Sequence, residues 1–205
     1  MIRDFIQSLT PLDFLPSIVF LISYLLGSIP FGFLISRKKK EFWPMGLIAL
    51  LLDAAKGAIA VAIATSAGGQ FISSFFASQA VVPTQSNSLL MLWSAGLFAV
   101  IGHCYSPWVH FKGGKGVATG FGTLTVLSPL AACAGLVGFL LTFYYKRIPS
   151  LSSITGLISA SVAYLVLNPV GIHLWVGGGL VFLILARHEE NIDALLENRE
   201  PPFFE

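Results

Sequence analysis

Six long apolar runs dominate this sequence, and each approaches the length that an α-helix needs to cross a lipid bilayer. Of the 205 residues, 55% are hydrophobic and 11% are charged, whereas a typical soluble domain is about 25% charged. The mean hydropathy is +0.81. These values exclude a disordered chain and predict an all-α, polytopic membrane protein. The apolar runs cover residues 14–36, 45–67, 88–103, 130–145, 151–167 and 171–186.

A seventh apolar segment, 117–127, decides the predicted topology. It is either a thin span or a re-entrant half-helix, because about 11 residues rise only ~16 Å. If it crosses, the positive groups that follow the first span all lie on one side, which the positive-inside rule makes cytoplasmic. We therefore predict about seven transmembrane helices, one of them short, with the N-terminus outside and the C-terminus cytoplasmic. These positive groups are at 37–40, Lys112, Lys115, Lys146, Arg147, Arg187 and Arg199.

Charge and cysteine content exclude several other classes of protein. The net charge is only +2, so there is no basic face to neutralise nucleic-acid phosphates, and no nucleic-acid partner is expected. Cys104 and Cys133 lack the spacing of a zinc site or a disulfide framework, which favours simple apolar packing of both thiols. We predict no metal and no cofactor. No polar linker divides the chain, so we expect a single integral membrane domain, 1–205.

The glycine-rich segment 111–119, with the sequence Phe-Lys-Gly-Gly-Lys-Gly-Val-Ala-Thr, is the most informative part of the chain. Three glycines in four positions allow a tight turn that directs N–H groups toward one point. A helical run follows, whose positive dipole end faces the same point. The segment therefore predicts an anion site for phosphate, although it is not a Walker A loop; an ordinary loop with two topogenic lysines is the alternative. The candidate phosphate-binding residues are Lys112, Gly113, Gly114, Lys115 and Gly116.

The four histidines of the sequence are further candidates for site residues. His103 ends the third long run, where we favour a role at the helix C-terminus over phosphate binding or proton transfer. His188 follows the last run, and Asn191 would share its face if the helix continued. His110 adjoins the glycine segment and is expected to be solvated or close to phosphate. His173 is expected at the outer membrane interface.

Polar residues also occur inside the predicted spans. Asp53 and Lys56 are three residues apart within the second run, which places them on one helical face. Intramembrane charges are functional by default, but we favour a structural ion pair here. Ser28 lies between Gly27 and Pro30, so a role in a helix kink is a better interpretation than a serine nucleophile.

Four stretches of the sequence together resemble one family, the membrane-embedded acyl-phosphate:glycerol-3-phosphate acyltransferases of bacteria, known as the PlsY type. Their order and spacing fit nearly the whole chain from about Leu21 to Glu200, and the glycine-rich stretch is the most specific of them. The predicted seven-helix topology also resembles that of the family. The four stretches are residues 24–32, 51–57, 102–119 and 187–192.

This resemblance implies a reaction and a set of site residues. The family transfers a fatty acyl group from acyl phosphate to the 1-hydroxyl of glycerol 3-phosphate, which gives lysophosphatidate and phosphate in the bacterial cell membrane. Carried onto this sequence, Lys112, Lys115 and the glycines would hold phosphate, and His188 and Asn191 would complete the site. We assign His188, Asn191 and Lys115 as the catalytic candidates. No covalent acyl-enzyme is expected, since holding both substrates in alignment would supply most of the catalysis.

The sequence also departs from the family pattern. After its first span the family has a cytoplasmic Gly-Ser-Gly-Asn loop, whereas here Arg37 and three lysines lead almost directly into the second span. Arg37 is the candidate that would compensate in phosphate binding. In the tail, Ala194 and Asn198 replace the arginine and glycine of the family, and Glu200 is retained. A catalytically impaired member that binds phosphate-bearing lipid is therefore the alternative function; a small-anion transporter is a third and weaker one.

Overall fold

The computed structural model describes residues 14–36, 43–79, 85–168 and 170–203. Within these ranges the regular structure is entirely helical, as the sequence predicts. A 3₁₀ turn, Pro107–Val109, lies between the fourth and fifth helices. The α-helices are α1 (Leu15–Ser28), α2 (Phe31–Ser36), α3 (Trp43–Gln79), α4 (Gln85–Cys104), α5 (Val117–Leu127), α6 (Pro129–Lys146), α7 (Pro149–Leu167), α8 (His173–Ala186) and α9 (Glu189–Leu196).

Proline and glycine set most of the helix boundaries. The first apolar run is divided into α1 and α2 at Ile29 and Pro30, as the kink prediction requires. Pro129 and Pro149 occupy the first turns of α6 and α7, where the missing N–H is not needed. Gly116 precedes α5 with a φ of 85°, a left-handed conformation that glycine adopts without strain.

The helices match the predicted spans closely, with one correction. Among the described residues, five segments are long and apolar enough to cross a membrane, and α5 and α8 are shorter apolar helices. However, α3 continues to Gln79 and is 37 residues long, whereas the apolar run that predicts it ends at residue 67. No proline occurs between Pro44 and Pro83, so the polar residues after 67 end the apolar run without ending the helix. The orientation of the termini stays a prediction.

Small residues allow the central helices to pack closely. A Cβ added to Gly57 of α3 would lie 1.9 Å from the Thr119 carbonyl oxygen of α5, and one added to Gly122 would lie 1.8 Å from that of Ala54. Such contacts are typical of membrane helix pairs, because lipid provides no hydrophobic drive for association. The largest buried cluster joins four of the helices around the hydrogen bond of 3.0 Å that Trp93 donates to the Tyr164 hydroxyl.

The sequence did not fix which side chains are buried at several positions. His173, expected at the outer membrane interface, is the first residue of α8, and its side chain is buried and packs edge-on against Tyr164; its depth in the membrane stays a prediction. Cys104 is buried as expected for an apolar filler, whereas Cys133 is exposed on α6. In both cases hydropathy located the residue on a helix without fixing which face of that helix packs against its neighbours.

Candidate functional site

The glycine segment is seated on the C-terminal end of α4. The Gly113 N–H donates to the Cys104 carbonyl at 3.0 Å, and the Gly114 N–H donates to the His103 carbonyl at 3.1 Å. A Cβ on Gly113 would lie 2.0 Å from the His103 carbonyl oxygen, and one on Gly114 would lie 2.2 Å from His103 Nε2. These glycines are therefore required for close approach to α4. Their N–H groups satisfy the carbonyls of that helix, so the expectation that they point at an anion is corrected.

The two lysines of the segment face different surroundings. Lys112 lines a cavity of about 510 Å³, together with Gly113, Gly114 and His103. Lys115 is exposed and immediately precedes Gly116, the N-cap of α5. The first turn of α5 contains no acidic residue, and the N–H groups of a first helical turn lack partners within their helix. Lys115 therefore adds a positive charge next to the positive N-terminal end of α5.

Lys115 belongs to a polar cluster built from four elements. Its ammonium donates to Asn191 Oδ1, although the two residues are 76 positions apart. Asn191 Nδ2 donates to Glu200 Oε1 at 3.0 Å, and the Ser150 hydroxyl donates to Glu200 Oε2 at 2.6 Å. Lys115 and Asn191 are site residues that the sequence predicts. Glu200 was noticed only as a retained family position, and nothing in the sequence singled out Ser150.

His188 lies at the bend between α8 and α9. The side chain is 2% exposed, and its Nδ1 lies 2.7 Å from the Ile184 carbonyl oxygen, a geometry in which Nδ1 carries the proton and Nε2 is an acceptor. Burial lowers the pKa of the imidazole; the Ile184 carbonyl and Glu200 oppose this shift, and Lys115 adds to it. The last span ends at Ala186, and His188 is the N-cap of a second helix that begins at Glu189. The His188 carbonyl accepts the Ile192 N–H at 2.8 Å, so the break lies before His188, and Asn191 is in the first turn of the helix that follows.

Arg187 is a contact residue that the sequence analysis missed. Its guanidinium donates to the Gly113 carbonyl at 3.2 Å and to the Gly114 carbonyl at 3.4 Å. It also lies over the Tyr105 ring at 5.4 Å. Arg187 therefore connects the end of α8 to the glycine segment. The sequence signal was present, since Arg187 directly precedes His188 and begins the stretch 187–192, but the sequence assigned its charge no role in the site.

A second polar cluster lies within the helices beside the cavity. Lys56 Nζ is 2.7 Å from Asp53 Oδ1, which agrees with the predicted ion pair. His103 Nδ1 lies 3.2 Å from the same ammonium and 3.6 Å from Asp53 Oδ1. His103 is in the last turn of α4 as expected, but its ring is turned toward Asp53 and Lys56. Trp108 donates to the hydroxyl of Ser28 at 3.0 Å, and Ser28 is the last residue of α1, next to the break in the first span.

The remaining candidates are placed as follows. Arg37 lies outside the described residues. His110 is exposed in a left-handed conformation with a φ of 53°, and it lines the cavity with Lys112. In the described part of the chain, no group of three His, Cys, Asp or Glu side chains is arranged to hold a metal ion.

The class of protein that this arrangement defines is a polytopic membrane protein with a lysine- and amide-lined polar cluster at the end of its helices. A family model described as glycerol-3-phosphate acyltransferase matches residues 41–198. The chain belongs to that family. The apolar helices of this chain, together with its integral membrane relative, indicate a multi-pass protein of the bacterial inner membrane.

Individual relatives cover almost the whole chain. A glycerol-3-phosphate acyltransferase of Anaeromyxobacter sp. (strain K) is 31% identical over 92% of this chain and 97% of its own length. One from Wolinella succinogenes is 32% identical over 88% of this chain and 93% of its own length. The crystal structure of PlsY, an integral membrane glycerol 3-phosphate acyltransferase, in its glycerol 3-phosphate form matches with a TM-score of 0.75 and 31% identity, over 92% of this chain and 95% of that one.

The alignment lengths agree with a shortened segment in this chain. The alignment with the Anaeromyxobacter protein runs over 209 positions while covering 92% of the 205 residues here. The relative therefore has residues that this chain lacks. The family resemblance predicts the shortening after Arg37, and residues 37–42 lie outside the described residues.

Proposed function

We propose that this chain transfers a fatty acyl group from acyl phosphate to the 1-hydroxyl of glycerol 3-phosphate, which gives lysophosphatidate and phosphate. The family match and the relatives named glycerol-3-phosphate acyltransferase support this activity. Solved PlsY structures are described as glycerol 3-phosphate and lysophosphatidic acid forms, and these ligands are the acceptor and the product of the reaction. The lipid bilayer is the medium from which the acyl donor enters.

The observation that carries the proposal is the contact between Lys115 and Asn191 at the start of α5. The exposed ammonium can bind a phosphate oxygen, and the Asn191 amide, held by Glu200, is a second polar group at the same place. Because Glu200 also accepts from Ser150, the amide is fixed before substrate arrives. Preorganised polar groups of this kind are the main source of catalysis when no covalent intermediate forms.

The bond changes need no group beyond the two substrates and these side chains. The 1-hydroxyl oxygen attacks the acyl carbonyl carbon, and the bond between that carbon and the phosphate oxygen breaks. The hydroxyl proton leaves with the phosphate, which becomes free inorganic phosphate. Lys115 stabilises negative charge on phosphate, while neutral His188 offers Nε2 as an acceptor beside it. We assign Lys112 and Gly116 supporting roles in binding phosphate, and Arg37 the same role from the adjoining segment.

The test is acyl transfer by the purified protein in lipid nanodiscs, with acyl phosphate and labelled glycerol 3-phosphate. We expect labelled lysophosphatidate from the parent and a loss of about 100-fold or more in Lys115→Ala, the scale for removing one preorganised charge-stabilising group. Lys146→Ala is the matched control, because Lys146 is an exposed lysine at the end of α6 to which we assign no role in the site. Absence of product from folded parent protein would contradict the activity and favour the impaired, lipid-binding alternative.

A further inference from the structure

The buried Lys56 ammonium has more partners than a self-contained ion pair needs. Its side chain is 2% exposed, and an unpaired charge at that depth would cost several kcal/mol. Asp53 alone would neutralise it at 2.7 Å. The ammonium also donates to the Gly27 carbonyl at 3.1 Å and to the Ile29 carbonyl at 2.8 Å. These extra contacts indicate a role beyond neutralising a carboxylate.

The two carbonyls belong to the break between α1 and α2. Pro30 has no N–H, so the helical hydrogen bonds are interrupted there and the preceding carbonyls need other donors. The Lys56 ammonium donates to two of these carbonyls, and the Ser106 hydroxyl donates to the Ser28 carbonyl between them. A cation at this point also interacts favourably with the negative C-terminal end of the α1 dipole. The break is therefore fixed by α3 on one side and by the turn after α4 on the other.

His103 extends this cluster to the glycine segment. The ring lies between the Asp53–Lys56 pair and Gly114: Nδ1 is 3.2 Å from Lys56 Nζ, and Nε2 is so close to Gly114 that a Cβ there would lie 2.2 Å from it. The His103 carbonyl meanwhile accepts the Gly114 N–H at 3.1 Å. One residue thus contacts the segment through both its backbone and its ring.

We infer that His103 is a positioning residue for the acyl transfer, whose ring, held by Lys56 beside Asp53, fixes the place of the glycine segment and thereby of Lys115. The inference rests on the proposed function. Lys115 follows Gly114 directly in the chain, so a shift of Gly114 moves the ammonium away from Asn191. A displacement of about 1 Å in such a group can cost about 100-fold in rate.

The test is a pair of double-mutant cycles that use the two neighbouring glycines. Gly114→Ala places a methyl group against the His103 ring, whereas Gly113→Ala places one against the His103 backbone carbonyl, 2.0 Å away. We expect His103→Ala to reduce kcat about tenfold and Gly114→Ala about 100-fold, with activity expressed per folded molecule. The double variant His103→Ala/Gly114→Ala should be no worse than His103→Ala alone, because the ring that clashes is gone.

Gly113→Ala is the matched control for this rescue. Removing the His103 ring leaves its carbonyl in place, so His103→Ala should not relieve Gly113→Ala. A purely structural histidine would lower the folded fraction and leave kcat per folded molecule unchanged. Additive losses in both cycles, or equal rescue in both, would overturn the inference.

The same variants are also compared by hydrogen exchange of the peptide that contains residues 110–117, a measurement that needs no turnover. We expect faster exchange in His103→Ala than in the parent, because the ring no longer seats the segment whose N–H groups bond to α4. An inactive parent with this exchange pattern would refute the proposed function and leave the seating of the segment supported. An active parent with unchanged exchange and additive cycles would refute only the inference.

Discussion

Lys56 and Lys115 occupy opposite environments although each has a polar side chain as its partner. Lys56 is buried, and its contacts are Asp53, His103 and two backbone carbonyls. Lys115 is exposed and contacts Asn191, whose amide in turn reaches Glu200. The first ammonium is surrounded by protein acceptors, whereas the second keeps a face open to solvent.

The difference separates structural charge from charge that is available to a ligand. An ammonium has three N–H donors, and the surroundings of Lys56 offer at least that many acceptors inside the protein. Lys115 uses one donor on Asn191, so an arriving phosphate can accept from others. A lysine inside an apolar span is therefore a weaker indication of substrate binding than a lysine whose N–H donors are free to bind a ligand.

Substituting each lysine by methionine is the strongest test of this difference, and it has the largest expected effects. Lys56→Met leaves the Asp53 carboxylate without its cationic partner and removes the Lys56 donor from the Gly27 and Ile29 carbonyls, of which Ile29 still accepts the Phe31 N–H. We therefore expect a loss of about 3–5 kcal/mol in unfolding free energy. At ~2–4 °C per kcal/mol, the melting midpoint in detergent should fall by roughly 10 °C. Lys115→Met should leave the midpoint unchanged and abolish most activity. Equal effects of the two substitutions on melting would show that burial does not distinguish the lysines.

Asn191→Ala tests whether the amide or only the ammonium binds the acceptor. The substitution removes the partner of Lys115 and releases Glu200 toward the same cation. A hydrogen bond to a charged group contributes about 1.5–3 kcal/mol, so we expect the KM for glycerol 3-phosphate to rise at least about tenfold. Asp193→Ala, an exposed change on the same short helix, is the control. A normal KM with a reduced kcat would instead assign Asn191 to the chemical step.

Much of the fold could be predicted because most apolar runs approach the length of a bilayer-crossing helix and because proline or glycine marks several helix boundaries. α5 begins and ends where the sequence predicts, since Gly116 lies before it and Ser128 and Pro129 follow it. α3 exceeds its predicted span because polar residues after 67 end the apolar run without ending the helix. The length of an apolar run predicts the part of a helix that crosses the membrane. It predicts the end of the helix only where a helix-breaking residue follows the run.

The candidate site was predictable only where the chain marks it locally. The glycines and lysines of 111–119 form a continuous pattern, and His188 and Asn191 lie in a second one. Ser150 and Arg187 enter the site through tertiary contacts with Glu200 and the glycine carbonyls, which no spacing in the sequence encodes. Gly113 and Gly114 show the opposite limit: the pattern was correctly noticed, but their amides bond to α4 and do not point at a ligand.

Ionic strength should affect the two lysines unequally. The Debye length falls from about 10 Å at 0.1 M salt to about 3 Å at 1 M, and screening acts mainly on exposed charges. We expect the KM for glycerol 3-phosphate to rise severalfold over this range, because Lys115 is exposed. The melting midpoint, to which buried Lys56 contributes, should change little. The measurement is a salt titration of both quantities on one preparation, and a KM independent of salt would exclude Lys115 as the binding charge.

The smallest expected effect concerns His188, which shares the exposed cluster but is itself buried. Burial lowers its pKa below the ordinary value of 6.5, against the opposing influence of the Ile184 carbonyl and Glu200 and in the same direction as Lys115. Below pH 6.5 the unfolded chain therefore binds a proton more readily than the folded one, so stability falls as the pH is lowered, and it is independent of this group at higher pH. His188→Gln should remove that part of the pH dependence. Melting midpoints of parent and variant, measured from about pH 8 to about pH 5, should converge at the acid end; parallel curves would place the titration elsewhere.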